Sequence, residues 1–302
     1  MSAAPPTGAG SRPEPRSESR TAPLDGPRRA VAGLMPVWFW GVLAWIVVGR
    51  VLDPHPVVWF AGAAVLVGLS FVRPPRVERD PVEVASPLRG RWTVVNSPAD
   101  QVPSHGIRAY GQTYAIDVLL PSPPGTPATV PWRGGFPRPE TFPSFGRPVH
   151  AVADGTVVRV VDGRRDHRGR TSWPALAYLM TVEATRDLGG PSAVVGNHVV
   201  LDHGDGVFSL VAHLRRGSAR VRPGQRVAAG DVLGEVGNSG NSSEPHLHVQ
   251  LMDRPQPLRA AGIPFRWRDA RVLPDVTDPS RATTVRTEIT PGLPAAGQVV
   301  EM

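Results

Sequence analysis

Two apolar runs near the start of the chain do most to narrow what it can fold into. Val31 to Val48 reads VAGLMPVWFWGVLAWIVV, and Val57 to Val72 is a second run without a charge. Between them lie Arg50 and then Asp53-Pro54-His55-Pro56, which breaks any continuous helix. A span of roughly 30 Å of hydrocarbon takes about 20 residues of helix. Each run is slightly short, and flanking groups such as Arg50 can snorkel to the lipid surface. The pattern predicts a two-helix transmembrane hairpin over residues 31–72, with membrane lipid as its partner. Trp38, Trp40, Trp45 and Trp59 suit interfacial anchors, and His55 a polar residue in the turn. No small-residue cleavage site follows, and two adjacent runs exceed what a signal peptide needs.

Arginines flank both ends of this hairpin, with Arg28 and Arg29 before it and Arg73, Arg76 and Arg79 after it. Counted by the positive-inside rule, they place both termini in the cytoplasm. Long domains can cross a membrane largely regardless of charge, so an outward-facing C-terminal domain stays open.

Around the hairpin the text divides by composition. Residues 1–30 are a Pro/Ser/Ala/Arg arm with almost nothing to bury and are expected to be disordered. Residues 73–91 read as a Pro/Arg linker, residues 92–267 as a β-rich domain, and residues 268–302 as a tail, loose from 278 on. The 35 prolines and 32 glycines favour short strands and turns over long helices. Expected strands are 92–96, 114–119, 148–161, 198–202, 207–213, 226–237 and 246–252. Asp154-Gly155 and Asp205-Gly206 read as hairpin turns. Proline-rich 120–144 reads as a loop, and 174–186 as a helix inside a second insertion.

With no cysteine, the chain has neither a disulfide framework nor a thiolate metal site. All 33 basic residues are arginine, and the net charge is +7. These arginines are scattered, without a basic helix interleaved with aromatics, so a nucleic-acid partner is not expected.

The chemistry centres on His246-Leu247-His248. On a strand, residues two apart face the same way, so the two imidazoles would sit side by side. Such a pair suits metal binding or proton transfer. Upstream lie Tyr114-Ala115-Ile116-Asp117, the run Gly196-Asn197-His198 to Gly206, Ala212-His213-Leu214, and Val221-Arg222-Pro223-Gly224-Gln225 to Gly234. In this order the segments resemble the lysostaphin-like (LytM-type) zinc endopeptidases that cut peptidoglycan cross-bridges. The resemblance covers 92–267 and is most specific toward its C-terminal end.

That resemblance implies a mainly β fold, an antiparallel β-sheet groove closed by loops. It implies Zn2+ held by Asp117 and His248, with His213 and His246 flanking the scissile carbonyl as catalytic groups. Peptidoglycan peptides would be the substrate. One departure stands out. The family places a histidine ligand four residues before the aspartate, where this chain has Thr113. A catalytic zinc site keeps three protein ligands and one open position. His105, twelve residues before Asp117, is the candidate for the third, with His150 and His167 as further options. His198 and His203 read as structural.

A second reading keeps the fold without the metal, as a scaffold or as an activator of another cell-wall hydrolase. A third, a biotinyl- or lipoyl-type carrier, is suggested by the turn text Val221 to Gly234. It fails because a carrier needs a lysine and the chain has none.

Overall fold

The computed structural model describes residues 25–122, 130–278 and 293–302; the expected disordered arm up to residue 24 and most of the expected loose tail lie outside them. Three helices come first: α1 (Asp25–Gly33), α2 (Met35–Leu52) and α3 (Pro56–Ser70). Pro36 sits in the first turn of α2 and Pro56 opens α3, where a missing N–H costs nothing. Asp53 ends α2 in a left-handed conformation, and the His55 side chain caps α3 by accepting from Val57 N. The two helices pack as a hairpin, and Trp45 Nε1 donates to Trp59 O at 2.9 Å.

Among the described residues, α2 is the one helix long and apolar enough to cross a membrane. Its 18 residues bury only Met35, which is unlike the core helix of a water-soluble domain. The 15 residues of α3 fall short of that length, so the expectation of two spans is not met by helix length alone.

The last segment of the expected arm, residues 25–30, departs from disorder. Residues 25–33 form α1, anchored where the buried Arg29 reaches the half-buried Asp253: Nη2 lies 2.5 Å from Asp253 Oδ2, and Nη1 donates to Arg259 O at 2.7 Å. Removing one partner would leave the other charge half-buried without its counter-ion.

The β domain opens with β1 (Val82–Val84), β2 (Arg91–Asn96), β3 (Ile116–Leu119), β4 (Pro148–His150) and β5 (Gly155–Val161). A helical insertion follows, α4 (Trp173–Thr181), a 3-10 segment (Glu183–Gly189) and α5 (Pro191–Val194). Then come β6 (Asn197–Asp202), β7 (Phe208–Leu214), β8 (Arg226–Val227), β9 (Val232–Glu235) and β10 (Leu247–Met252). The last strands are β11 (Gly262–Ile263), β12 (Phe265–Trp267), β13 (Arg271–Thr277) and β14 (Gln298–Glu301). The main sheet is antiparallel, in the order β13-β14-β2-β3-β10-β7-β6-β5-β8, with β11 also on β10. Its buried face carries Trp92, Ile116, Leu201, Leu214, Leu247 and Leu251, and Phe265 of β12 packs into the same core. At about 25 cal/mol per Å2, burial of such side chains is the main source of stability.

Two hairpin expectations part company. Asp205 and Gly206 both take positive φ, 49° and 67°, and Val207 N donates to Gly204 O, a two-residue turn between paired β6 and β7. Asp154-Gly155 is no hairpin turn, because β4 pairs with β9 while β5 pairs with β6 and β8. The chain changes sheets there, pulled by the buried Val149, Ala151 and Val152. Gly155 is required by proximity instead: a Cβ would lie 2.6 Å from Asp202 O.

The linker and tail are also part of the fold. Leu88 is fully buried, and β1 pairs in parallel with β12. Beyond residue 268, β14 inserts between β13 and β2, burying Val299 and Val300. An exposed β2 edge would otherwise present unpaired backbone groups.

His198 on β6 gives a pH test of this core. Its Nδ1 donates to Gly196 O at 2.8 Å, while Nε2 is buried without a partner. Burial pushes its pKa down to about 4, so the folded chain keeps the ring neutral. The unfolded chain takes up that proton near its ordinary pKa of about 6.5, so stability falls as pH drops from there toward 4. Melting curves of wild type and His198→Gln across this window are expected to converge by about 3 kcal/mol at the acid end. Parallel curves would mean that the ring is not held neutral.

Candidate metal centre

The centre is assembled by register. β3 and β10 pair with Asp117 opposite His248, and the β10–β7 pairing puts Ala212 opposite His248. Residues directly opposite share a face, so Asp117 and His248 meet. His248 Nδ1 lies 2.8 Å from Asp117 Oδ1. His246, two residues earlier, brings its Nε2 to 3.8 Å from Asp117 Oδ2. The expectation of side-by-side imidazoles matches this geometry.

Strict alternation would turn His213 away, since its neighbour Ala212 is the residue facing His248. His213 instead takes φ 60°, which re-aims the ring. It lies 4.8 Å from the His246 ring and 5.8 Å from the His248 ring, centroid to centroid. His213 Nδ1 donates to Ser239 O at 2.8 Å, and His246 Nδ1 donates to Glu244 O at 2.8 Å. A carbonyl can only accept, so these bonds leave Nε2 of both rings with its lone pair.

His105 arrives from a loop. Ser104 N donates to Thr113 O, which folds 104–113 back on itself and carries His105 across to the sheet. His105 Nε2 stands 2.8 Å from Asp117 Oδ2. Donor atoms of His105, Asp117 and His248 all lie within 4.8 Å of one another. His150 and His167 are elsewhere: His150 Nδ1 bonds Gly230 O, and His167 is buried behind the 237–243 loop, its N donating to Asn238 O. His203 is tied between Asp154 O and Ser209 Oγ.

Electrostatics follow the packing. Burial pushes the Asp117 carboxyl up, but His105, His246 and His248 around it outweigh burial and hold it well below the usual carboxylate range. Burial pushes His248 down, and its contact with Asp117 more than reverses this. Burial and the neighbouring His246 and His248 push His213 well below the ordinary imidazole value.

Three contributors carried little or no sequence signal. Asn96 Nδ2 donates to Asp117 Oδ2 at 2.7 Å. Ser242 Oγ sits 3.1 Å from His246 Nδ1. Gln250 Oε1 lies 2.7 Å from His248 Nε2, and its amide donates to Tyr110 O at 2.7 Å. The Tyr110 contact fixes which way the Gln250 amide points, so His248 Nε2 is the donor and Nδ1 faces Asp117. Gln250 had a readable trace: it is a polar residue on an apolar strand, two positions after His248 and hence on the same face.

The donor set, two imidazoles and a carboxylate, is of the nitrogen and oxygen kind that zinc accepts. The Gln250 contact is the outer-shell bond that orients a ligating imidazole. The residues therefore fit a zinc ion, with the His213 and His246 rings beside the cluster of His105, Asp117 and His248.

The model of Peptidase family M23 matches residues 177–260, which include His213, His246 and His248. Peptidoglycan DD-endopeptidase ShyA of Vibrio cholerae is 39% identical over 72 residues, 23% of this chain and 16% of that protein. Glycyl-glycine endopeptidase ALE-1 of Staphylococcus capitis is 32% identical over 112 residues, 37% of this chain and 23% of that protein. The chain thus spans less than a quarter of the length of these curated relatives. The catalytic domain of lysostaphin from Staphylococcus simulans, 18% identical, aligns over 52% of this chain and 86% of its own with a TM-score of 0.29. A zinc-containing peptidase from Vibrio cholerae, 21% identical, aligns over 63% and 41% with a TM-score of 0.28. Over residues 177–260 the chain is thus similar to Peptidase family M23.

Gln250 supplies the test of this geometry. Gln250→Leu removes the acceptor at His248 Nε2 and is expected to lower zinc affinity about 10–100-fold, whereas Gln250→Glu keeps an acceptor and most of the affinity. Competition with a chromogenic chelator measures both. Equal affinities in all three proteins would mean that this bond does not orient His248.

Proposed function

We propose that the chain is a membrane-anchored zinc metalloendopeptidase that hydrolyses peptide cross-bridges of peptidoglycan. The observation that carries this reading is His105, which stands at Asp117 and supplies the donor missing at Thr113. His105, Asp117 and His248 would hold the ion. Zinc so held acts as a Lewis acid on a peptide carbonyl and lowers the pKa of water. His213 and His246 lie beside the cluster with Nδ1 engaged by a backbone carbonyl and Nε2 turned to other partners. Either ring can accept a proton at Nε2 and return it to the leaving amine. The Nδ1 bonds to Ser239 O and Glu244 O fix both ring planes and tautomers, so neither ring reorganises during the reaction. The relatives named as peptidoglycan endopeptidases support the substrate class.

The helical hairpin would hold the domain in the bilayer, with α2 as a span and α3 completing a second one through flanking residues. Exposed Val47, Val51, Leu52, Val57, Val58 and Phe60 at its far end would otherwise face water.

A metal-free scaffold is the second reading. The observation favouring it is Thr113, a poor zinc ligand where the resemblance calls for a histidine. Zinc content separates the two. Full-length wild type in detergent is expected to bind zinc one-to-one. His105→Ala and His248→Ala should lose affinity by more than the roughly 100-fold typical of an outer-shell change, with Thr113→Ala unaffected. His213→Ala and His246→Ala should keep zinc while turnover of cross-linked muropeptides falls about 10²–10⁴-fold. Wild type without zinc would establish the scaffold, and zinc affinity unchanged in His105→Ala would remove that residue as a ligand.

A further inference from the structure

Outside the helical hairpin, large apolar side chains gather on one part of the surface. Trp132 and Phe136 lie before β4, and Trp173, Tyr178, Met180 and Val182 lie on α4 and the residue after it. All six are exposed, Trp132 to 76% and Met180 to 75%. They form one patch. Trp173 N donates to Pro131 O at 3.0 Å, the Trp132 and Trp173 rings stand 6.2 Å apart, and Phe136 meets Tyr178 edge to face at 5.9 Å. No charged residue falls between Arg170 and Glu183, and α4 buries only Ala175. Single exposed apolar residues are ordinary, whereas a contiguous set marks an interaction surface.

The segment that continues from α4 is bonded to the start of α2. Trp40 Nε1 donates at 3.1 Å to Leu188 O, in the 3-10 stretch Glu183–Gly189. The 18 residues of α2 make a helix about 27 Å long, against roughly 30 Å of hydrocarbon. A span with no length to spare sets its first turns at the lipid–water boundary. Trp40 is in those turns, about 7.5 Å along the axis from Met35. Met35 itself is buried against Tyr110 and Leu258 of the β domain. The bond to Leu188 therefore holds the α4 insertion close to the same boundary.

We propose that this patch rests in the lipid–water interface, a second contact with the bilayer beside the hairpin. Tryptophan and tyrosine favour that boundary, with apolar bodies toward the acyl chains and polar tips toward water. Met180 and Val182 add apolar area that a surface-lying helix buries just below the headgroups. The inference rests on the membrane reading of α2 and is independent of the peptidase reading. Its consequence for the domain is orientation. Arg170, three residues before α4, donates to Ser242 O and Ser243 O, and Ser242 Oγ lies 3.1 Å from His246 Nδ1. A patch fixed in the interface thereby fixes how the histidine cluster stands over the membrane.

The chain has no cysteine, so single cysteines can be labelled on the full-length protein. A fluorophore is placed on Met180→Cys and on Trp132→Cys in the patch, on Val47→Cys in α2, and on Arg222→Cys before β8 as a reference, all exposed positions. Each protein is reconstituted in vesicles of phosphatidylcholine and phosphatidylglycerol. Nitroxide lipids labelled at the top of the acyl chain should remove most of the fluorescence from both patch positions and little from Arg222→Cys. Lipids labelled deep in the chain should instead quench Val47→Cys most. Quenching at Val47→Cys, with both patch positions no more quenched than the reference, would overturn the interfacial contact and leave the α2 span standing. Quenching at the patch alone would support the contact and remove the span. Quenching at none of the three would overturn both.

Discussion

A carboxylate buried among imidazoles organises this domain. Asp117 is only 4% exposed and touches His105, His248 and Asn96, with His246 close behind. A bare carboxylate in such a place would cost several kcal/mol. Its partners remove that cost, and three elements deliver them: Asn96 comes from β2, His105 from the returning loop, and His246 and His248 from the start of β10. Neighbouring strands therefore have to pair in one register, because a slip of one residue would turn His248 to the other face. Packing of the sheet and assembly of the site are the same event.

Much of this was legible in the sequence where the information is local. Period two alone put His246 and His248 together, and Asp205-Gly206 announced the β6–β7 hairpin. The Asp117–His248 pairing joins residues 131 apart, and it came from the order of segments rather than from any local pattern. His213 defeats alternation, because its positive φ re-aims a ring that period two would send away. Asn96 offered no sign, as its role comes from a strand neighbour. The tail misled for the same reason: β14 is held by β2 and β13, and its four residues carry little signal alone.

The helical hairpin is joined to the domain by specific bonds. Arg29 of α1 is paired with Asp253, Met35 packs with Tyr110 and Leu258, and Trp40 bonds the insertion. Tyr110 links this contact to the centre, since its carbonyl holds Gln250 and Gln250 holds His248. The packing of Met35 on Tyr110 and the candidate metal ligand His248 are thus separated by two hydrogen bonds.

The central claim is that His105 completes a three-ligand zinc centre in place of the residue at Thr113. X-ray absorption at the zinc edge on the loaded full-length chain addresses it most directly. The account predicts a first shell of nitrogen and oxygen at about 2.0–2.2 Å with outer-shell scattering from two imidazoles, falling to one in His105→Ala. Scattering from the same number of imidazoles in wild type and His105→Ala would contradict it.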